Sequence, residues 1–268
     1  MKISFHGAAH NVTGSCHLLT CGKTKILVDC GLYQGRNEFN GENDQAFGFE
    51  PSEIDYLLLT HAHLDHCGRI PLLISRGFKG EILTTAATRE LTKLILLDSA
   101  HIQEDDARWM NKRASRRGDN KKLYQPLYTT IDALNSLDYF GRVINYAEPI
   151  QLNDNITVTF IEAGHILGSA CVFIELQENA DKRSVLFSGD LGYSNRAILR
   201  NPAKPPKADV VVMETTYGDR SHKQLEPSIE DMYAAVLETF DRGGNVFIST
   251  VALERAHEIL VFLLEGVE

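Results

Sequence analysis

One short segment, residues 61–68, is rich in side chains of the kinds that bind metal ions. Its sequence is HAHLDHCG, and it directly follows the apolar run IDYLLLT. Neutral imidazoles and a carboxylate are ligands that zinc prefers. His61 and His63 are two positions apart, so they point the same way in an extended chain. Asp65 and His66 come after the chain has begun to turn and can face a second point. The spacing predicts one loop that serves two ions; the alternative is four unrelated surface residues.

Two further polar residues follow strand-like segments. His165 follows ITVTFIEA, and Asp190 follows SVLFSG. Either residue alone is more often structural, but together with the 61–66 loop they complete a ligand set. A carboxylate that bridges two cations holds them close together against their repulsion. The interpretation is therefore a first ion on His61, His63 and His165, a second ion on Asp65 and His66, and Asp190 as the bridge.

Two more carboxylates come just after apolar segments. Asp29 follows KTKILV, and Glu214 follows ADVVVM. Strand ends on one edge of a sheet are where α/β proteins build sites, and a metal-binding histidine usually donates its other N–H to a carboxylate. Asp29 and Glu214 are therefore predicted to orient the metal-binding side chains without binding an ion themselves. For Asp29, an aspartate that caps its own turn is an equally good alternative.

Composition excludes several classes of protein. The chain has 268 residues, of which 43% are hydrophobic and 24% charged, the mix of a globular protein. A net charge of −9 provides no global basic field for nucleic acid or anionic lipid. No apolar run approaches the ~18 residues of a membrane span, so no membrane partner is expected. Five cysteines without paired spacing predict free thiols and a cytoplasmic location.

The order of elements predicts an α/β (α+β) protein whose sheets are covered by helices. Short strands dominate the first third, and a long helix is predicted over Ala86–Met110. After Gly218 a new unit begins: helix Ser228–Asp241, strand Asn245–Thr250 and helix Leu253–Leu264. Because this unit cannot bury its faces alone, the sequence is expected to end inside a second domain.

The motifs resemble those of a known family. HAHLDHCG matches the H-x-H-x-D-H signature of the metallo-β-lactamase superfamily, and the contexts of His165, Asp190 and Asp29 resemble its other motifs. METTYG, with VTGSC, VDCGLYQG, LLTHAHLDHCGRIPLL and GHILGSA, is similar to the β-CASP RNA-processing branch. That branch includes bacterial and archaeal ribonucleases and the endonuclease subunit of the cleavage and polyadenylation machinery. The resemblance covers essentially the whole chain.

The resemblance implies a fold, a cofactor and a reaction. The fold is an αββα sandwich, with the metallo-β-lactamase domain at residues 1–218 and the start of an inserted β-CASP α/β domain at 219–268. The cofactor is two Zn²⁺ ions, and the reaction is hydroxide attack on a phosphodiester of RNA, expected to be single-stranded. The resemblance gives Asp65, Asp190 and Glu214 catalytic roles. The resemblance does not decide whether the protein forms a homodimer.

Two later histidine motifs of the family have no counterpart here. His222 and His257 lie too early in the chain, and their contexts do not match. The expectation is a truncated chain that holds its second ion less tightly and cleaves little RNA on its own.

Two other functions compete with RNA cleavage: hydrolysis of thioesters or lactones at the same ligand loop, and a non-catalytic RNA-binding or scaffolding role. A local basic segment, from Arg108 to Lys122, contains seven cations. A solvated helix end is favoured over an RNA track as its interpretation.

Overall fold

The computed structural model of the chain describes residues 1–35, 40–118, 123–220, 225–250 and 253–266. The strands are β1 (Lys2–Phe5), β2 (His17–Cys21), β3 (Thr24–Val28), β4 (Tyr56–Leu58), β5 (Glu81–Thr84), β6 (Phe140–Val143), β7 (Ile150–Asn153), β8 (Ile156–Glu162), β9 (Ala170–Glu178), β10 (Asp181–Phe187) and β11 (Val210–Val212). The helices are α1 (Asn40–Asn43), α2 (Leu64–Cys67), α3 (Ile70–Ser75), α4 (Ala86–Arg116), α5 (Thr130–Ser136), α6 (Leu225–Asp241) and α7 (Arg255–Glu265).

The strands form two sheets. The first has six strands in the order β1-β2-β3-β4-β5-β6, antiparallel from β1 to β3 and parallel from β3 to β6. The second has five strands in the order β11-β10-β9-β8-β7, antiparallel except for the parallel pair β10 and β11. In this arrangement β3 runs parallel to β4, and β8 runs in the same direction as β10, so the segments after each pair leave at a common edge.

The side chains of the central strands point alternately to the two faces of the sheet, and this alternation forms two apolar layers. Successive side chains of a strand point to opposite faces. Leu58 of β4 accordingly packs between the sheets, while its neighbours Leu57 and Leu59 pack on the other face. That other face carries the helices, with Leu96 of α4 and Ala133 of α5 buried in it. Strand β4 is thus buried on both sides, as its continuous apolar run predicted.

The second sheet has a smaller cluster on its outer face. Its members come from β8, β9, β10 and the loops beside them, with Ala208 packed against them. No helix contributes to this cluster among the residues that the structure describes. The predicted fold class is confirmed: an α/β (α+β) protein with two sheets face to face and helices outside.

The basic segment forms the end of a long helix. Helix α4 continues past the predicted end at Met110 to Arg116. Arg108 pairs with Asp105, and its neighbours Lys112 and Arg113 are exposed. Cations near a helix C-terminus interact favourably with the helix dipole, which agrees with a solvated helix end. Two of the seven cations, Lys121 and Lys122, lie outside the described residues, as does His222.

The predicted strand Asn245–Thr250 is wrong. This segment is irregular, and Phe247 within it is 92% exposed. A strand requires a neighbour for its backbone hydrogen bonds, and no described strand pairs with this segment. The helices on either side of it, α6 and α7, lie close to their predicted positions.

All five cysteines are free and buried. Cys67, the cysteine next to the histidine loop, donates a hydrogen bond to the carbonyl of Ala62 at 3.4 Å and packs in the helix-side cluster. It therefore faces away from the loop's polar side. Within the described part of the chain, no helix has the length and apolar composition needed to cross a membrane.

Gly31 allows the chain after β3 to pass against α2. A Cβ at this position would lie 1.6 Å from the backbone oxygen of Asp65. We expect Gly31→Ala to lower the free energy of unfolding by at least about 2 kcal/mol, because backbone atoms must separate to admit the methyl group. Urea unfolding followed by circular dichroism measures this. Gly41→Ala is the matched control, since nothing lies within 4 Å of that Cβ; equal stability of the two variants would contradict the prediction.

Candidate metal centre

The predicted ligands come together at the carboxyl ends of strands from both sheets. The loop after β4 supplies His61 and His63, and α2 supplies Asp65 and His66. The loop after β8 supplies His165, and the loop after β10 supplies Asp190. The short α2 begins at the very point where the histidine loop ends, so the chain turns between the two halves of the HAHLDH segment.

Four of these side chains form one compact group. Ligand atoms of His61, His63, His165 and Asp190 all lie within 4.8 Å of one another. Nδ1 of His63 lies 3.1 Å from Nε2 of His61 and 3.1 Å from Nε2 of His165. Oδ2 of Asp190 lies 3.4 Å from Nε2 of His165. We call this set the first ligand group.

The remaining pair lies on the other side of the same aspartate. Nε2 of His66 is 3.1 Å from Oδ1 of Asp190 and 3.9 Å from Oδ2 of Asp65. We call His66, Asp65 and Asp190 the second ligand group. Asp190 therefore presents Oδ2 to the first group and Oδ1 to the second, which is the placement that a bridging carboxylate requires.

Asp29 is hydrogen-bonded to a histidine of the second group and, through Thr60, to a histidine of the first. This aspartate is 1% exposed, and its Oδ2 lies 2.7 Å from Nδ1 of His66. Its carboxylate also accepts hydrogen bonds from the backbone N–H and the hydroxyl of Thr60. The Thr60 hydroxyl in turn lies 3.0 Å from Nδ1 of His61. Asp29 thus reaches one histidine directly and another through Thr60, rather than capping its own turn.

These hydrogen bonds orient the two histidines. Nδ1–H of His66 donates to Asp29, so its Nε2 is the nitrogen that faces Asp190. Because the Thr60 hydroxyl donates to Asp29, its oxygen accepts from Nδ1–H of His61, and Nε2 of His61 carries a lone pair. This Nε2 also faces Asp190. Imidazole nitrogens that converge on a carboxylate can bind a cation, and imidazole with carboxylate suits zinc. The residues therefore fit a bound metal ion.

Burial keeps the first group in the form that binds metal. Desolvation lowers the pKa of His61, His63 and His165, and that of His165 falls to about 4. A neutral imidazole is the metal ligand. The histidines of the first group are therefore ready to bind at neutral pH.

The second group has the opposite electrostatics. Burial opposes a charged His66, but the carboxylates of Asp29 and Asp190 outweigh it and raise the pKa of His66 well above its usual range. Burial would likewise raise the pKa of Asp190, but the hydrogen bond and charge of His66 outweigh it and bring that pKa to about 2. Burial raises the pKa of Asp65. In the free protein, a proton on His66 therefore occupies the position between carboxylates where a cation would bind.

Metal binding at the two groups is expected to depend differently on pH. Lowering the pH from 8 to 6 adds no proton to His165, whose pKa is about 4, so the first ion stays bound. The raised pKa of His66 means that a proton competes with the second ion, and this competition strengthens as the pH falls. Zinc content after dialysis at each pH, measured by mass spectrometry, tests this. Parallel loss of both ions would contradict it.

Within the described part of the chain, Glu214 accepts its hydrogen bond from the backbone and not from a histidine. Its Oε1 accepts from the backbone N–H of Leu191 at 2.9 Å, and its own N–H donates to the hydroxyl of Ser188. The prediction that Glu214 orients ligands therefore stays a prediction, and its contacts here are with the backbone and with Ser188. The glutamate instead holds the loop that carries Asp190, on both sides of that residue.

Sequence reasoning missed several residues that hold the ligands. Thr60 connects Asp29 to His61, and the hydroxyl of Ser169 accepts from the backbone N–H of His165 at 3.0 Å. Hydroxyl residues at strand ends carry no distinctive spacing, but both of these lie inside segments already selected for their histidines. Their position beside these histidines was the signal by which the sequence could have identified them.

The second group opens into a cleft of about 710 Å³. Asp65, His66 and Asp190 lie on its floor. One wall is the 8–12 loop, and the other contains Glu214 and the threonines after it. Of the eight predicted site residues, Asp29, Asp65, His66, Asp190 and Glu214 line this cleft, and the three histidines of the first group contact it through Asp190.

The fold and this ligand set are those of a metal-binding protein built on paired sheets. Residues 11–242 match the model of the metallo-β-lactamase superfamily. The chain belongs to the metallo-β-lactamase superfamily, as its motifs predicted.

Several curated proteins are similar over nearly the whole chain. Ribonuclease TTHA0252 of Thermus thermophilus is 37% identical over 98% of the chain and 54% of its own length. Transcription termination factor FttA of Methanocaldococcus jannaschii is 29% identical over 99% of the chain and 39% of its length. Cleavage and polyadenylation specificity factor 73 of Drosophila melanogaster is 31% identical over 99% of the chain and 36% of its length. These relatives confirm the resemblance to the RNA-processing branch. The chain spans about half, or less, of each relative.

Proposed function

We propose that the protein is a zinc-dependent hydrolase of RNA phosphodiester bonds of the β-CASP type, acting on single-stranded RNA with two metal ions. The observation that carries the proposal is the sharing of Asp190 between two ligand groups at the floor of one cleft. The METTYG segment, which begins at Met213, lies on the wall of that cleft. Similarity to a protein named ribonuclease and to a cleavage and polyadenylation factor supports RNA as the substrate.

Each residue has a defined task in this proposal. His61, His63, His165 and Asp190 hold the first ion, and Asp65, His66 and Asp190 hold the second. Bound zinc ions lower the pKa of water and neutralise charge on phosphoryl oxygens. Asp29 keeps Nδ1 of His66 protonated, so that Nε2 faces the ion. Glu214 holds the backbone beside Asp190, which keeps the bridging carboxylate in place.

The proposal accommodates an acidic protein that acts on a polyanion. The chain carries a net charge of −9, which by itself repels RNA. Four carboxylates, those of Asp29, Asp65, Asp190 and Glu214, line the cleft, and two bound divalent cations would cancel their charge. RNA affinity should therefore depend on metal more strongly than in a basic nuclease.

The division of the chain is also part of the proposal. We assign residues 1–218 to the metallo-β-lactamase domain and 219–268 to the beginning of a β-CASP domain. Helix α6 fits this division, because it has no buried residue in the described part of the chain. A cytoplasmic location is proposed as well, in line with five free thiols.

The test compares two substrate classes with and without metal. The full-length protein is incubated with a single-stranded RNA oligonucleotide and with a thioester, in each case with and without EDTA. We expect the protein to cleave RNA and to lose this activity in EDTA. We also expect Zn²⁺ to restore it. Thioester hydrolysis without RNA cleavage would favour the carbonyl hydrolase. RNA binding without cleavage of either substrate, by protein loaded with zinc, would favour a non-catalytic subunit.

A further inference from the structure

One buried arginine connects the C-terminal helix to the metal centre. The side chain of Arg196 is 7% exposed and that of its partner Glu258, in α7, is 2% exposed. Nε of Arg196 donates to Oε1 of Glu258 at 2.7 Å, and Nη2 donates to Oε2. Its remaining nitrogen, Nη1, donates to the backbone carbonyl of His165. A single guanidinium therefore joins α7 to a residue of the first ligand group.

A second contact runs between the same two parts of the chain. Glu254 directly precedes α7, and its carboxylate accepts from the backbone N–H of Leu167 at 3.3 Å. Glu254 is 8% exposed and has a φ of 66°, a positive value that residues other than glycine rarely adopt. The start of α7 thus contacts the 163–169 loop directly through Glu254 and indirectly through Arg196.

We infer that Arg196 is a positioning residue for His165, and that it holds this histidine in place only while α7 is docked. The inference rests on the proposed role of His165 as a metal ligand. It assigns to α7 a control over the first ligand group: when α7 moves away, Arg196 loses its carboxylate and His165 loses its fixed backbone.

The hydrogen bond from Nη1 of Arg196 to the carbonyl of His165 distinguishes a positioning role from a purely stabilising one. A bidentate carboxylate neutralises the charge of a buried guanidinium, and Glu258 provides that carboxylate. Its contact with His165 adds nothing to that pairing. It does complete the restraint of His165, because the hydroxyl of Ser169 already accepts from the N–H of the same residue. With the N–H and the C=O both held, the backbone that carries the imidazole of His165 is fixed.

The test is a titration with Co²⁺, whose visible absorption reports the geometry of its ligands. It compares the parent protein, Arg196→Ala, Arg196→Lys and Glu258→Gln, each checked for folding by circular dichroism. Arg255→Ala is the matched control, since Arg255 lies 3.7 Å from the same Glu258 carboxylate but is half exposed. We expect the Arg196 and Glu258 variants to bind the first Co²⁺ 10- to 100-fold more weakly, the usual effect of losing an outer partner of a ligand. The absorption bands should shift, and Arg255→Ala should match the parent.

The outcomes separate this inference from the proposed function. Folded Arg196 variants with the parent's affinity and spectrum would overturn it, even if their melting temperature fell, because the arginine would then only stabilise the fold. An equal loss in Arg255→Ala would also overturn it. If Arg196→Ala does not fold, Arg196→Lys decides, since lysine keeps the charge without the three-way fork. Failure of the parent to bind Co²⁺ would instead reject the metal centre itself.

Discussion

Replacement of Asp190 by alanine is expected to reduce RNA cleavage by at least about 10³-fold. The carboxylate faces Nε2 of His165 through Oδ2 and Nε2 of His66 through Oδ1, so one substitution removes a ligand from both groups. Removing a single preorganised electrostatic contact at a reacting centre typically costs about 10²–10³-fold, and here the shared contact is lost from two groups at once. The measurement is kcat/KM on single-stranded RNA, with the gene product saturated with zinc.

Two further variants make this result specific. Asp190→Asn keeps the shape of the side chain but removes its charge, and we expect it to lose nearly as much activity. Asp138→Ala removes an exposed aspartate outside the site and should leave the rate unchanged. Cleavage by Asp190→Ala at more than a tenth of the parent rate would show that Asp190 does not bridge the two groups.

The convergence of the ligands was predictable because each follows an apolar strand. Asp29, His165 and Asp190 stand far apart in the chain, but each lies within three residues of the end of β3, β8 or β10. Parallel strands bring such residues to one edge of a sheet. The role of each residue at this edge was harder to predict from the sequence, because a role depends on which atom of the side chain faces which neighbour. Glu214 illustrates this: it was placed at the correct edge, but it holds the backbone of Leu191 and no imidazole.

Short strands and unpaired segments were the harder part of the fold. Strands β5, β6 and β7 each have four residues, and none of them was predicted, because none lies in a long apolar run like the one that contains β4. The segment Asn245–Thr250 has the composition of a strand, but no described strand pairs with it. Strand formation is a property of two segments together, so the composition of one segment is not sufficient.

Thr60 and Arg196 were missed for a related reason. Thr60 lies 31 positions from Asp29, and Arg196 lies 62 positions from Glu258. Neither belongs to a spaced motif, and each acquires a role only through a partner distant in the chain. Such couplings need the fold to be known first.

Replacement of His63 by alanine is expected to empty the first ligand group while leaving the second able to bind. Nδ1 of His63 lies 3.1 Å from both of the other imidazole nitrogens, so it is the central member of the group. The loss of affinity should exceed the 10- to 100-fold that an outer partner costs, because a direct ligand disappears. In the parent, the first ion should bind more tightly than the second. Three neutral imidazoles contribute to the first group, whereas a proton on His66 competes at the second.

The decisive measurement is a zinc titration of the parent, His63→Ala and Asp65→Ala against a chelating dye. Asp65→Ala is the matched control, since it removes a ligand of the second group only. We expect the parent to show one tight and one weaker ion, His63→Ala to lose the tight ion, and Asp65→Ala to keep it. Two tight and equivalent ions in the parent would contradict the predicted order of binding. Retention of the tight ion by His63→Ala would reject the assignment of the first group, because no other side chain contacts both His61 and His165 through one nitrogen in the described part of the chain.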